Sequence, residues 1–201
     1  MANTYAPFGF RWSRELTGTA PNAALTMRRI LHTNSTAIFR GDPVTSQSTG
    51  YVAQSAAGTT QINGIFWGCK YISVSQGRTV WSPYWPGSDA SSDPEAYVID
   101  DPNAVFLAQV GPVSDGPVVL ADVQQNANFT LATAGNTATG ISGAALDFTT
   151  IGTTTTLPFR IIGYPGDGLF AAVGPGTDNT SANNLVFVTF NWQDYKSTTG
   201  I

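Results

Sequence analysis

No stretch of this chain sustains the 3.6-residue apolar period of a useful helix. Short apolar runs alternate instead with clusters of Gly, Pro, Asn and Ser, and such punctuation permits short strands and little else. Thr suits pleated, half-buried surfaces, and Gly and Asn supply the turns between them. The expected fold is all-β: short-stranded β-barrel or β-sandwich modules with an irregular N-terminal arm. A chain of 201 residues can form one such domain or two small ones, with a core that needs no staples.

Residues 1–23 read as the arm. Pro7, Gly9, Gly18 and Pro21 interrupt any regular element, while Phe8, Phe10 and Trp12 share one face if the segment is extended. Such a stripe docks on a neighbour or back onto its own domain. Residues 24–110 form a first β module with strands expected at Met27–Leu31, Thr36–Arg40, from Val44, Gln61–Ser75, Ala96–Asp100 and Ala104–Val110. In Gln61–Ser75, alternation places Ile65, Trp67, Cys69 and Tyr71 on one face and Phe66, Lys70, Ile72 and Val74 on the other. Both faces are apolar, and Gly64 and Gly68 mark a bulge or bend. Trp81–Asp89 reads as an aromatic, proline-rich loop. After a Gly/Pro linker, residues 118–201 form a second module, unless the two are continuous. Its strands are expected at Val118–Val123, Asn128–Ala132, Leu146–Thr150, Phe159–Tyr164, Leu169–Val173 and Leu185–Trp192.

Charge narrows the function. Only 11% of residues are charged, against roughly 25% in average soluble domains. Interface cores are similarly poor in Lys, Glu and Asp and rich in aromatics, so the composition favours assembly over ionic catalysis. A net charge of −4 argues against a nucleic-acid surface, which needs clustered Arg and Lys. Cys69 is the sole cysteine, which excludes an intrachain disulfide and a Cys-based zinc site. No run approaches the ~18 apolar residues of a membrane span, and the start lacks signal-peptide character. Synthesis in a reducing cytoplasm is expected.

The chemical candidates are sparse. His32 is the single imidazole and reads as structural. Gly140-Ile-Ser142-Gly143-Ala144 echoes a nucleophile elbow, but the last position is Ala and no helix follows; it reads as a turn. Asp100 and Asp101 point to opposite faces of a strand and cannot share a proton; Asp101-Pro102-Asn103 is a turn initiator. Asp89, Asp93 and Glu95 lack the spacing of a calcium loop. The Gly-rich stretches 163–168 and 174–176 lack the Lys-Ser/Thr of a phosphate cradle. Catalytic residues, cofactor and metal are therefore expected to be absent. Trp81, Tyr84 and Trp85 remain as a lid on the core, an assembly contact or a glycan-stacking platform.

One set of strings carries a resemblance. Gly41-Asp42-Pro43-Val44, Gly50-Tyr51-Val52, Ile62 through Tyr71, Ala96 through Pro102, and the closing Asn184 through Asn191 resemble the head decoration, or cement, proteins of tailed bacteriophages. The opening Tyr5-Ala-Pro-Phe-Gly-Phe-Arg11 is similar to starts of such proteins. The resemblance implies a β-rich virion structural protein on the capsid exterior. Such a protein forms a homo-oligomer, commonly a trimer near three-fold positions, and bridges major capsid protein subunits. It has no catalytic residues to carry over. The expected contact residues are Phe8, Phe10, Trp12, Trp81, Tyr84 and Trp85. Two other readings compete: a glycan-binding virion or surface module using Trp81, Tyr84 and Trp85, and, more weakly, a small hydrolase.

Overall fold

In the computed structural model, residues 2–111, 116–165, 178–198 and 200 are described. The alternating runs fold into fourteen strands and one 3-10 turn among these residues. The first eight strands are β1 (Arg11–Glu15), β2 (Thr26–Arg29), β3 (Ile38–Phe39), β4 (Pro43–Ser46), β5 (Val52–Gln54), β6 (Gly64–Ser73), β7 (Arg78–Ser82) and β8 (Tyr84–Trp85). The remainder are β9 (Glu95–Ile99), β10 (Ala104–Gln109), β11 (Asn126–Thr130), β12 (Ala145–Gly152), β13 (Phe159–Gly163) and β14 (Leu185–Phe190).

Among the described residues these strands pair antiparallel, and the sheets stay open instead of closing into a barrel. One sheet runs β2-β9-β6-β4-β5, with β7 also on β6. The other runs β1-β10-β14-β13-β11-β12, and β3 and β8 form a separate ribbon. This grouping redraws the boundaries read from sequence. Both β1, from the supposed arm, and β10, from the supposed first module, belong to the sheet completed by residues 126–190. The expected strand Leu169–Val173 and most of the Gly/Pro linker lie outside the described residues.

The reason the arm is not free is its ring chemistry. Phe10 is 2% exposed and stacks on Phe159 with ring centroids 4.2 Å apart. Phe159 in turn meets Phe129 and Phe190, and Phe190 meets Phe106. Ile65 and Ile99 from the first sheet, and Ile62 just ahead of β6, contribute to the same core. A second core forms beneath the β3–β8 ribbon, where Trp85 fills the space among Phe66, Cys69, Tyr71 and Val98. Burying each such side chain is worth about 1.5–3 kcal/mol.

The C-terminal segment fastens the two sheets together. Gln193 is fully buried, and its Nε2 donates to the carbonyls of Asn63 and Asp100 at 2.9 and 2.7 Å. The Asp194 carboxylate accepts from Ser46, Gln61 and Asn63.

Two local expectations are corrected. Val118–Val123 is not a strand. The Asn184 side chain takes both the N–H and the C=O of Val118 at 3.0 Å, a side chain doing what a neighbouring strand would do. The chain then makes a 3-10 turn at Leu120–Asp122, where the Asp122 carboxylate accepts from the Val119 N–H. Nor is Trp81–Asp89 a loop throughout: it contains the end of β7 and all of β8, with Pro83 at the break between them, and otherwise only its last four residues lie outside strands.

Candidate functional site

Strand β6 changes partners along one edge, pairing first with β4 and then with β7. At that changeover the register against β9 slips between Phe66 and Gly68, leaving Trp67 as the extra residue of a β-bulge. The bulge reverses the inside–outside phase. Phe66 faces the core before it, Cys69 and Tyr71 after it, and Trp67 is turned outward at 37% exposed. The glycines did signal the bulge, but simple alternation had put Trp67 on the face of Cys69 and Tyr71.

The consequence is an aromatic outer face. Lys70 lies opposite Trp81 on β7 and Glu95 on β9, while Gly68 lies opposite Tyr97. The Trp81 ring stacks on Tyr97 at 5.8 Å, nearly parallel, and Gly68 lets the Ser82 carbonyl come close, where a Cβ would meet it at 2.9 Å. Lys70 sits over the Trp81 ring at 5.3 Å and pairs with Glu95 at 3.2 Å. Both ions are about a third exposed, so the pair adds little to stability and serves to orient. Arg40 fixes the far side: its Nε donates to the Trp67 carbonyl at 2.9 Å, a group left between the two ladders, and its guanidinium lies 4.7 Å over the Trp67 ring. Between these rings opens a hollow of about 380 Å³, floored by Gly68 and Cys69 and walled by Trp67, Trp81 and Tyr97. Trp81 is 67% exposed, and Met27 and Ile72 extend the apolar face.

The six residues expected to touch a partner therefore separate. Trp81 is on the outer face. Phe8 and Trp12 are half-buried. Tyr84 stacks on Phe39 at 5.4 Å. Phe10 and Trp85 are enclosed by their own core, where Trp85 donates its indole N–H to the Asn34 carbonyl. They correct the expectation: no partner reaches them in the folded chain. Trp67, Tyr97 and Arg40 were missed. Tyr97 joins Trp81 only through the β6 register, which no local spacing reveals, whereas an aromatic residue beside the Gly68 bulge signal was a usable clue.

The remaining candidates each have local partners. His32 Nδ1 lies 2.9 Å from Asp93, which also accepts from the His32 N–H and the Tyr51 hydroxyl. These bonds, those of His32 foremost, lower the Asp93 carboxyl to about 2. Ser142 is 2% exposed; its hydroxyl donates to Asp42 and accepts from the Ala144 N–H, far from an exposed nucleophile. Asp42 also accepts from the Phe39 N–H and Gln54, while burial pushes its carboxyl above the usual range. Asp100 holds Thr26 and Arg28, and Asp101 accepts from the Asn103 N–H at 2.8 Å as the expected turn initiator. Asp89 binds Ser73 and Ser75, and Glu95 binds Lys70, so the acidic residues 89–95 serve different neighbours. No metal-holding cluster of His, Cys, Asp and Glu occurs among the described residues. Burial raises the Cys69 thiol to about 12, which keeps it protonated near neutrality.

The chain matches no protein-family model, no curated protein and no solved structure.

Proposed function

We propose that this chain is a virion structural protein that decorates an icosahedral capsid and stabilises it by bridging major capsid protein subunits. In this reading the contact is the outer face formed by Trp67, Trp81, Tyr97, Met27 and Ile72. The observation that carries it is this exposed apolar face on a chain with so few charges, once Phe10 of the arm and Trp85 are taken up by their own cores. Exposed apolar patches of this kind mark interaction surfaces. A chain that binds only the assembled shell stabilises it by mass action, about 2.7 kcal/mol per site at a hundredfold excess over Kd, and symmetric copies add. A homotrimer on the capsid exterior is the arrangement proposed, with no catalytic role.

The test is co-sedimentation with undecorated capsids of the virus that encodes the chain, followed by capsid survival on heating. The intact protein should pellet with the shells and raise their disruption temperature, and Trp81→Ala with Trp67→Ala should abolish both effects. Failure of the intact protein to pellet refutes the proposal; equal binding by the double variant moves the contact elsewhere.

The parallel Trp81–Tyr97 pair beside its hollow favours one second reading, a glycan-binding module, because flat ring faces stack on sugars. A glycan array on which only the wild type binds would select it.

A further inference from the structure

Across Trp67 from the hollow lies a second groove of about 440 Å³, walled by Phe8, Arg11, Arg40, Trp67 and Ile141. Its floor is a close backbone approach. Gly9 and Gly41, both at positive φ, pack against each other, and a Cβ on Gly9 would come within 2.9 Å of the Gly41 carbonyl oxygen. The Phe10 N–H donates to that carbonyl, and the backbone of Arg40 bonds to Gly140 and Ser142. Arg11 and Arg40 are therefore set at one site by ladders from different parts of the chain.

Charge is what distinguishes this groove. The chain has 13 acidic residues and 9 basic ones, yet the groove lining includes two arginines and no carboxylate. Asp42, next to Gly41, is turned inward onto Phe39, Gln54 and Ser142. Arg28 and Lys70 are matched by Asp100 and Glu95, whereas neither Arg11 nor Arg40 has an ion pair among the described residues. Arg40 spends only Nε on the Trp67 carbonyl, leaving its two terminal NH2 groups to grip a carboxylate in a fork. Stacking on Trp67 holds that fork in place.

We propose that this groove binds an extended peptide segment of a partner protein through an Asp or Glu side chain flanked by an apolar residue. The carboxylate is taken by Arg40 and Arg11, and the apolar neighbour by Phe8, Trp67 and Ile141. A peptide fits because it can set a carboxylate and an apolar side chain next to each other, as the arginines and the apolar wall lie here, and because β1, which carries Arg11, is the edge strand of its sheet. The inference goes beyond the capsid reading, since the groove would take such a segment from any protein.

The experiment uses the intact protein and two probes, acetyl-Val-Phe-Asp-Val-amide and its Asn counterpart. Titration is followed through the Arg40 Nε–H and Trp67 indole N–H resonances. The Asp peptide should bind at least about tenfold more tightly than the Asn peptide, and Arg40→Gln or Arg11→Gln should each remove that preference. Gln at position 40 can still donate to the Trp67 carbonyl, and Arg11→Gln changes an exposed side chain; unchanged melting of either variant confirms its fold. Equal affinity for both peptides overturns the proposal, as does no binding up to about 10 mM. Displacement by equimolar inorganic phosphate also overturns it, because the groove would then read any small anion.

Discussion

Replacing Phe10 by alanine asks whether the N-terminal segment is structural. The ring is 2% exposed and stacked on Phe159 at 4.2 Å. Loss of burial removes about 1.5–3 kcal/mol, and loss of the stacking geometry about 0.5–1.5 more. Incomplete collapse around the vacated site adds a cavity term of about 24 cal/mol per Å³ left open. Together these give about 3–5 kcal/mol, the range seen for buried Phe→Ala changes. Against a total of about 5–15 kcal/mol that is a large share, and for a chain of this size it lowers Tm by roughly 6–20 °C. Urea unfolding followed by near-UV circular dichroism should show a lower midpoint at unchanged slope. Phe8→Ala, which removes a half-buried ring beside the groove, should lose less than about 1.5 kcal/mol. A loss below about 1 kcal/mol for Phe10→Ala would refute the placement of the segment in the core. On the same reasoning, deletion of residues 1–15 should abolish cooperative unfolding, because it removes β1 as well as this ring.

Asp42→Ala leaves the Phe39 N–H, the Gln54 amide and the Ser142 hydroxyl without their acceptor. At about 1 kcal/mol or more for each of the two buried groups and less for half-buried Gln54, the expected loss in a urea melt is about 2–3 kcal/mol. The Asp93 carboxyl, held at about 2 against an ordinary 3.8, contributes stability above pH 3.8 that is lost as pH falls toward 2. Asp93→Asn should therefore flatten this acid limb of midpoint against pH, and His32→Ala should do so in part; parallel curves would show that the lowered value is not coupled to folding. Cys69, buried with its thiol raised to about 12, should resist iodoacetamide at pH 8 in the native protein and react at once in urea. Rapid native labelling would contradict its burial.

Much of the strand pattern is legible locally. Alternation locates β6, β9, β10 and β14 within a few residues, and Asp101-Pro102-Asn103 is a turn for the reason its composition gives. What fails is whatever depends on a distant partner. Strand β1 hides among breakers because its pairing is with residues 104–107. Val118 looks like strand but receives its hydrogen bonds from Asn184. The Trp81–Tyr97 pair exists only in the register that sets Tyr97 opposite Gly68. Composition indicated that aromatics would be presented to a partner, but only the pairing decides which ones remain exposed.

The strand order of the second sheet also dictates a timetable. Strand β14 lies between β10 and β13, and β1 is attached outside β10. A nascent chain can close the pairings of residues 26–99 early, but β10 must wait for residues 185–190 before its inner edge is covered. Until then Phe10, Phe106 and Phe159 have no Phe190 to complete their cluster. Pairing across such long sequence separations is slow, so refolding should be limited by arrival and docking of β14. During that wait the half-built sheet is open to association with other chains.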